Sequence, residues 1–286
     1  MTNLAAEAAE LLRLHTDPEL LTVVNVWDVI TAKVVAAVPG TKALATASHS
    51  IAASHGYPDG EAIPRDLMLE TIGRIARAVD LPVSADLEAG YGDPGDTVAR
   101  AIDLGVVGAN LEDRMAPVTE AARAVEAAVA AGERAGIPFV LNARTDAYLR
   151  GRDRDPEELL ADVIERGRAY LGAGAACFFV PGRLDERTVA RLVEALGERK
   201  ISIMGGARID LPLDRAGAGC RARLLRAVHA ERRARRGARP GRGRVRGRGT
   251  AAGPPAVHLT VAGSALRDDI GSLAPPNIRG LGEHVP

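Results

Sequence analysis

Residues 82 to 94 read Pro82-Val83-Ser84-Ala85-Asp86-Leu87-Glu88-Ala89-Gly90-Tyr91-Gly92-Asp93-Pro94. The run from Pro82 to Leu87 is small and apolar enough for a buried strand, Gly90 and Gly92 mark a turn, and Asp93-Pro94 offers an N-cap followed by proline at the first helical position. Strand, turn and helix start follow one another without a break. Asp86 and Glu88 are two residues apart on an extended chain, so they lie on one side of it, at its carboxyl end.

The same rhythm extends in both directions. Further strands are expected at Val23 to Trp27, Ala43 to Ala47, Val107 to Leu111, Phe139 to Ala143, Cys177 to Val180 and Ile201 to Met204, which with Pro82 to Leu87 makes seven. They are apolar on both faces, as strands are when helices cover one side of a parallel sheet and side chains fill the other. Asp155-Pro156 opens another helix, in which Leu159, Leu160, Val163, Ile164, Tyr170 and Leu171 share one stripe. Seven right-handed strand-helix units imply a closed barrel or a wide open sheet.

At 286 residues the chain is long enough for one such domain, and with aromatics at 3% its core has to be aliphatic. Charges within the first twenty or so residues (Glu7, Glu10, Arg13, Asp17) break up any signal-peptide core, and no segment is apolar enough to span a membrane, so a cytoplasmic protein is expected. Cys177 and Cys220 give neither a disulfide framework nor metal-ligand spacing.

The zero net charge conceals a break. Residues 1–206 carry 21 basic and 31 acidic residues, whereas residues 207–249 carry 14 and 3. Of the 50 residues from Ala207 to Ala256, 14 are Arg, 11 Ala, 8 Gly and 4 Pro. That composition suits a GC-rich gene read out of frame, and it stands where an eighth strand-helix unit belongs. The expectation is a barrel domain over residues 1–206 and a tail over 207–286, frameshift-derived or disordered, leaving an open seam after the seventh strand. A basic nucleic-acid-binding arm ranks behind these readings.

Charge recurs at the carboxyl ends of the strands, where parallel β/α folds place their sites. Two carboxylates facing one space, Asp86 and Glu88, repel unless a cation joins them, and oxygen ligands without His or Cys favour Mg²⁺ or Mn²⁺. The fourth strand adds Glu112-Asp113, the first ends at Asp28, and the fifth ends Asn142-Ala143-Arg144-Thr145-Asp146, where Arg144 offers a planar fork for a carboxylate. A Ser-rich loop, Ser48 to Gly60, follows the second strand. No G-x-S-x-G, P-loop or dinucleotide fingerprint occurs in a strand-to-helix setting.

Taken together, Asn25-Val26-Trp27-Asp28, Ala52-Ala53-Ser54-His55-Gly56-Tyr57-Pro58-Asp59, Ala85 to Gly92, Leu111-Glu112-Asp113 and Asn142-Ala143-Arg144 resemble the isocitrate lyase and phosphoenolpyruvate mutase superfamily, most closely its short phosphonomutase-like members. The resemblance implies a (β/α)₈ TIM-type barrel in a homo-oligomer, although the element expected to join the subunits falls in the anomalous tail. It implies Mg²⁺ held at Asp86, Glu88 and Glu112, partly through water. Asp59 falls at an active-site acid, Arg144 with Asn142 at the substrate, and Ser48 with His49 in the segment whose amides receive a carboxylate or phosphonate.

One departure bears on activity. The superfamily's C–C lyases carry a Cys- and His-containing loop after the fourth strand, and this chain has Arg114-Met115-Ala116-Pro117-Val118-Thr119 instead. The expected function is therefore a Mg²⁺-dependent lyase or hydrolase that cleaves next to a small 2-oxo acid through an enolate. Asp59, Arg144 and Glu112 are the candidate catalytic residues. The alternatives are P–C bond transfer, or an impaired product whose basic tail binds nucleic acid nonspecifically.

Overall fold

The computed structural model describes residues 4–182 and 184–204, together with the backbone of a strand at 223–227. All seven expected strands are present: β1 (Thr22–Val26), β2 (Leu44–Thr46), β3 (Val83–Asp86), β4 (Gly108–Glu112), β5 (Val140–Arg144), β6 (Cys177–Val180) and β7 (Ile201–Met204). Each pairs in parallel with the next. An eighth, β8 (Arg223–Ala227), pairs with both β7 and β1 and closes the ring.

This closure corrects the expectation of a missing eighth strand and an open seam. Pairing is made by backbone groups, and a five-residue segment suffices to meet β7 and β1, so an arginine-rich composition hid a strand without preventing one. The rest of the proposed tail lies outside the described residues.

Helices alternate with the strands: α1 (Leu4–Thr16), α2 (Val29–Ala36), α3 (Ser48–Ser54), α4 (Arg65–Ala76), α5 (Pro94–Asp103), α6 (Val118–Arg134), α7 (Ala147–Arg150), α8 (Pro156–Gly172) and α9 (Glu186–Leu196). The caps legible in sequence are formed, since Asp93 accepts from Asp96 N–H and Asp155 from Glu157 and Glu158 N–H. Gly90 turns the chain between β3 and α5 at φ +93°, and a Cβ there would lie 2.7 Å from Pro94 Cα. In α8, Leu159, Leu160, Val163 and Tyr170 are buried as the periodicity requires, and Tyr170 meets Phe178 of β6 edge to face at 5.8 Å. The stretch after β2, expected as a loop, begins as the short helix α3.

Two apolar layers result. The larger one sheathes the barrel, with Leu44, Val83, Leu87, Leu111, Leu141 and Phe178 facing the helices. The smaller fills the lower barrel, where Ala8, Leu11 and Leu14 of α1 pack against Leu21, Val23, Val107 and Val140. Leu11 is fully buried, which stabilises by roughly 1.5–3 kcal/mol for a side chain of this type, and Gly108 leaves the space for it. With an apolar floor, the polar side chains of the strands collect at the opposite, carboxyl-terminal end.

Candidate active site

Strand register sets the geometry of this end. Asp86, Asn110 and Asn142 are successive ladder partners across β3, β4 and β5, and Glu112 is the partner of Arg144 one inward position higher. The Asn142 amide donates to Asn110 Oδ1 at 2.7 Å, and Cys177 Sγ–H donates to Asn142 Oδ1 at 3.0 Å. Asn142 is thus a fully buried member of the layer beneath Arg144.

Asp86 is held from two sides. Its Oδ2 accepts from Ser48 Oγ at 2.8 Å and Ser48 N–H at 3.3 Å, while its own N–H donates to Thr46 Oγ1 at 2.9 Å. The other carboxylate oxygen, Oδ1, is buried and has no hydrogen-bond partner. An unpaired buried carboxylate oxygen is costly, and a cation is what such an atom suits. Both donors of Ser48 that the sequence offered to a substrate are spent on Asp86. His49, partly buried at the start of α3, has Nε2 3.0 Å from Ser50 Oγ.

Glu88 is buried as well, on a backbone at φ +52°. Its Oε1 accepts from Tyr91 O–H at 3.1 Å, and Oε2 accepts from the Glu61 N–H. Burial, reinforced by the charge of Asp86, pushes the Glu88 carboxyl up to about 7. Burial also raises Glu112, against the opposing pull of Arg144. Asp59 is exposed, but near enough to Glu88 for its charge to add to the upward shift.

Arg144 is committed to the protein. Its Nη1 lies 3.0 Å from Glu112 Oε2, while Nε and Nη2 both reach Asp146 Oδ1, at 2.9 and 2.8 Å. Asp113 is saturated: Oδ2 accepts from Tyr170 O–H at 2.8 Å and Arg166 Nη1 at 3.0 Å, and Oδ1 from the N–H groups of Met115 and Asp146. Asp28 caps α2 in a reciprocal box with Thr31. Among the strand-end acids, then, Asp28 and Asp113 serve the fold, while Asp86, Glu88 and Glu112 face the mouth.

Two charged side chains at this mouth escaped the sequence reading. Glu61, on a left-handed backbone (φ +63°), accepts from Ala89 and Tyr91 N–H and thereby ties its segment to the β3–α5 turn. Arg114 reaches back over the acids, with ion pairs to Glu61, Glu88 and Glu112. Of six non-glycine residues with positive φ among those described, Glu61, Glu88, Tyr91, Arg114 and Met115 all surround this mouth. Such strain collects at functional sites. A cleft of about 500 Å³ opens beside them, lined in part by Glu61, Gly92, Glu112, Arg114, Arg144 and Tyr170.

Among the described residues, no three His, Cys, Asp or Glu side chains stand close enough together to form a ready metal cage. Asp86 Oδ1 is the one acid oxygen of this group left buried and unpartnered, whereas Glu88 and Glu112 are engaged by Tyr91, the Glu61 amide, Arg114 and Arg144.

A family model, that of phosphoenolpyruvate phosphomutase, matches residues 11–222 of the chain. The chain belongs to this family, within the isocitrate lyase and phosphoenolpyruvate mutase superfamily. Its fold is similar to the crystal structure of a presumptive phosphonomutase from Burkholderia cenocepacia J2315, with a TM-score of 0.72 and 37% identity over 79% of this chain and 92% of that one. It is also similar to oxaloacetate acetylhydrolase bound to oxalate, with a TM-score of 0.67 and 28% identity over 78% and 80% of the two chains. In sequence it is 28% identical to 2,3-dimethylmalate lyase of Eubacterium barkeri over 73% of this chain and 74% of the relative. Two uncharacterized Mycobacterium tuberculosis proteins are 34% identical, and the match spans 59% of this chain and 63% of theirs. The family is thus one of lyases, hydrolases and mutases. Among the described residues, no helix is long and apolar enough to cross a membrane.

Proposed function

We propose that this family member is a Mg²⁺-dependent lyase or hydrolase that cleaves a bond at the oxo- or hydroxyl-bearing carbon of a small 2-oxo or 2-hydroxy dicarboxylate, in the cytoplasm and as a homo-oligomer. The observation that carries the reading is the buried, unpartnered Oδ1 of Asp86 beside Glu88 and Glu112. In this reading Asp86 is the direct donor to Mg²⁺, or to Mn²⁺ in its place, and Glu88 and Glu112 complete the shell in part through water. The bound ion supplies positive charge against which an enolate oxygen develops.

The chain's own residues have distinct tasks. Ser48 fixes the Asp86 carboxylate, and Thr46 holds the Asp86 backbone N–H. Asp146 and Glu112 hold the Arg144 guanidinium at the mouth, where its remaining N–H groups take a substrate carboxylate together with His49 at the start of α3, above the polar layer of Asn142. Asp59, at the exposed rim near Glu88, is the candidate for handling the proton. The likeness to oxaloacetate acetylhydrolase and 2,3-dimethylmalate lyase supports a substrate of four to six carbons (roughly, by analogy of site class).

Incubation with oxaloacetate and with 2-substituted malates, with and without Mg²⁺, tests this reading through release of oxalate, acetate or pyruvate. Metal-dependent release that Asp86→Asn abolishes supports it. Absence of turnover on every such compound refutes it.

The phosphoenolpyruvate phosphomutase family model and the Burkholderia structure favour a second reading, transfer of phosphorus between carbon and oxygen. Phosphorus NMR of phosphoenolpyruvate incubated with enzyme and Mg²⁺ separates the two, because only a mutase produces a carbon-bound phosphorus signal.

A further inference from the structure

We propose that Arg114 is a resident cation of the acid cluster, which a divalent ion has to displace from Glu88 and Glu112 before it can bind. The proposal rests on the Mg²⁺ reading above and concerns what sets the affinity of that site.

Three contacts define the arrangement. Arg114 Nη1 lies 3.0 Å from Glu61 Oε2, Nε 3.3 Å from Glu112 Oε1, and Nη2 3.6 Å from Glu88 Oε2. These acids come from three separate segments: the stretch between α3 and α4, the turn after β3, and the end of β4. One guanidinium therefore neutralises carboxylates that would otherwise repel one another, which is the service a metal ion would perform.

The Nη2 atom adds an independent observation. It is buried and makes no hydrogen bond. A planar fork normally directs its N–H groups at acceptors, whereas here the tip enters the cluster and finds Glu88 only beyond hydrogen-bond distance. The contact is electrostatic, and it is the longest of the three. A divalent ion on Asp86, reaching Glu88 and Glu112 directly or through water, would neutralise them better than this guanidinium does, and two cations beside the same carboxylates repel.

The backbone allows the exchange. Arg114 and Met115 are consecutive left-handed residues, at φ +47° and +63°. The chain beside them is fixed by Asp113, whose side chain accepts from Met115 N–H at 2.9 Å and whose carbonyl accepts from Ala116 N–H at 2.7 Å. The loop is therefore pinned, while the Arg114 side chain, about one third exposed, can swing on its own stem towards the cleft it lines. Arg144 is not equivalent: its fork is fastened to Asp146, and it touches only Glu112 within the cluster.

The test is Mn²⁺ binding to the full chain, followed by electron paramagnetic resonance without substrate. Arg114→Asn removes the charge and suits a left-handed backbone, and it should bind Mn²⁺ about 10-fold more tightly than the wild type, equivalent to about 1.4 kcal/mol. Arg114→Lys should fall between the two. Glu61→Gln, which loosens the shortest anchor of Arg114, should also tighten binding and keeps the test open should Arg114→Asn fail to fold. Equal or weaker binding in folded Arg114→Asn and Glu61→Gln, with wild-type binding still lost in Asp86→Asn, overturns the role of Arg114 alone. No binding to any of these proteins at millimolar Mn²⁺ overturns the metal reading along with it.

Discussion

Glu112 and Arg144 are ladder partners on adjacent strands, and the register brings their side chains to 3.0 Å across the mouth of the barrel. Asp146, two residues along, takes the other edge of the same guanidinium. Replacing Arg144 by Met would remove the buried guanidinium between Glu112 and Asp146, leaving them only their longer contacts to Arg114 and Arg150, 3.3 Å each. Loss of one partner of a buried ion pair costs about 3–5 kcal/mol, so a urea titration of Arg144→Met should show a loss of this size. Arg144→Lys should recover part of it, because a lysine supplies the charge without the fork. Equal stability of wild type and Arg144→Met would contradict the geometry.

In the metal-free protein the contribution of Glu88 to stability should fall as pH rises from about 4.5 to 7. Below 4.5, Glu88 is protonated both in the unfolded chain and in the native state. Between 4.5 and 7 the unfolded chain ionises first, because burial raises the native carboxyl to about 7. The difference corresponds to about 3 kcal/mol at most, lost by pH 7. Melting curves in a chelator should show Glu88→Gln with a flatter pH profile than wild type across that window. A wild-type profile no steeper than that of Glu88→Gln would refute the assignment.

Asp113 looks from sequence like a partner of Glu112 in chemistry, yet its oxygens are fully engaged with Arg166, Tyr170 and two backbone amides. Tyr170→Phe removes one donor and should destabilise by about 1–2 kcal/mol. Because Tyr170 also lines the cleft, stability is the cleaner readout, and differential scanning calorimetry provides it. Asp113→Ala should cost more, since it leaves the buried Arg166 without that partner.

Gly108 tests the barrel floor. A Cβ at this position would sit 2.8 Å from Leu11 Cδ2 and 2.8 Å from the Val140 carbonyl oxygen. Overpacking of this kind costs about 1–3 kcal/mol. Gly108→Ala should therefore lower the melting temperature, and adding Leu11→Ala should not restore it, because the backbone oxygen still obstructs and a buried leucine has been lost.

Local patterns were readable before any coordinates. The seven strands and the caps at Asp93 and Asp155 depend on neighbouring residues, and the structure bears them out. What escaped depends on contacts distant in sequence. Glu61 returns to the turn after β3 through a left-handed residue, and nothing local to Asp59-Gly60-Glu61 announces that. Arg166 reads as one more charge on α8, but it turns inward because Asp113 waits for it 53 residues earlier in the chain. β8 was hidden for a different reason: composition argued against a strand whose pairing is made by the backbone.

The helix α1 seals the end of the barrel opposite the acids, with Leu11 standing in the opening like a stopper. In the proposed reaction, reactants and products then share one doorway, so each product departs before the next reactant can approach Asp86. Such single-door traffic makes a lingering product a competitive inhibitor of the following turnover.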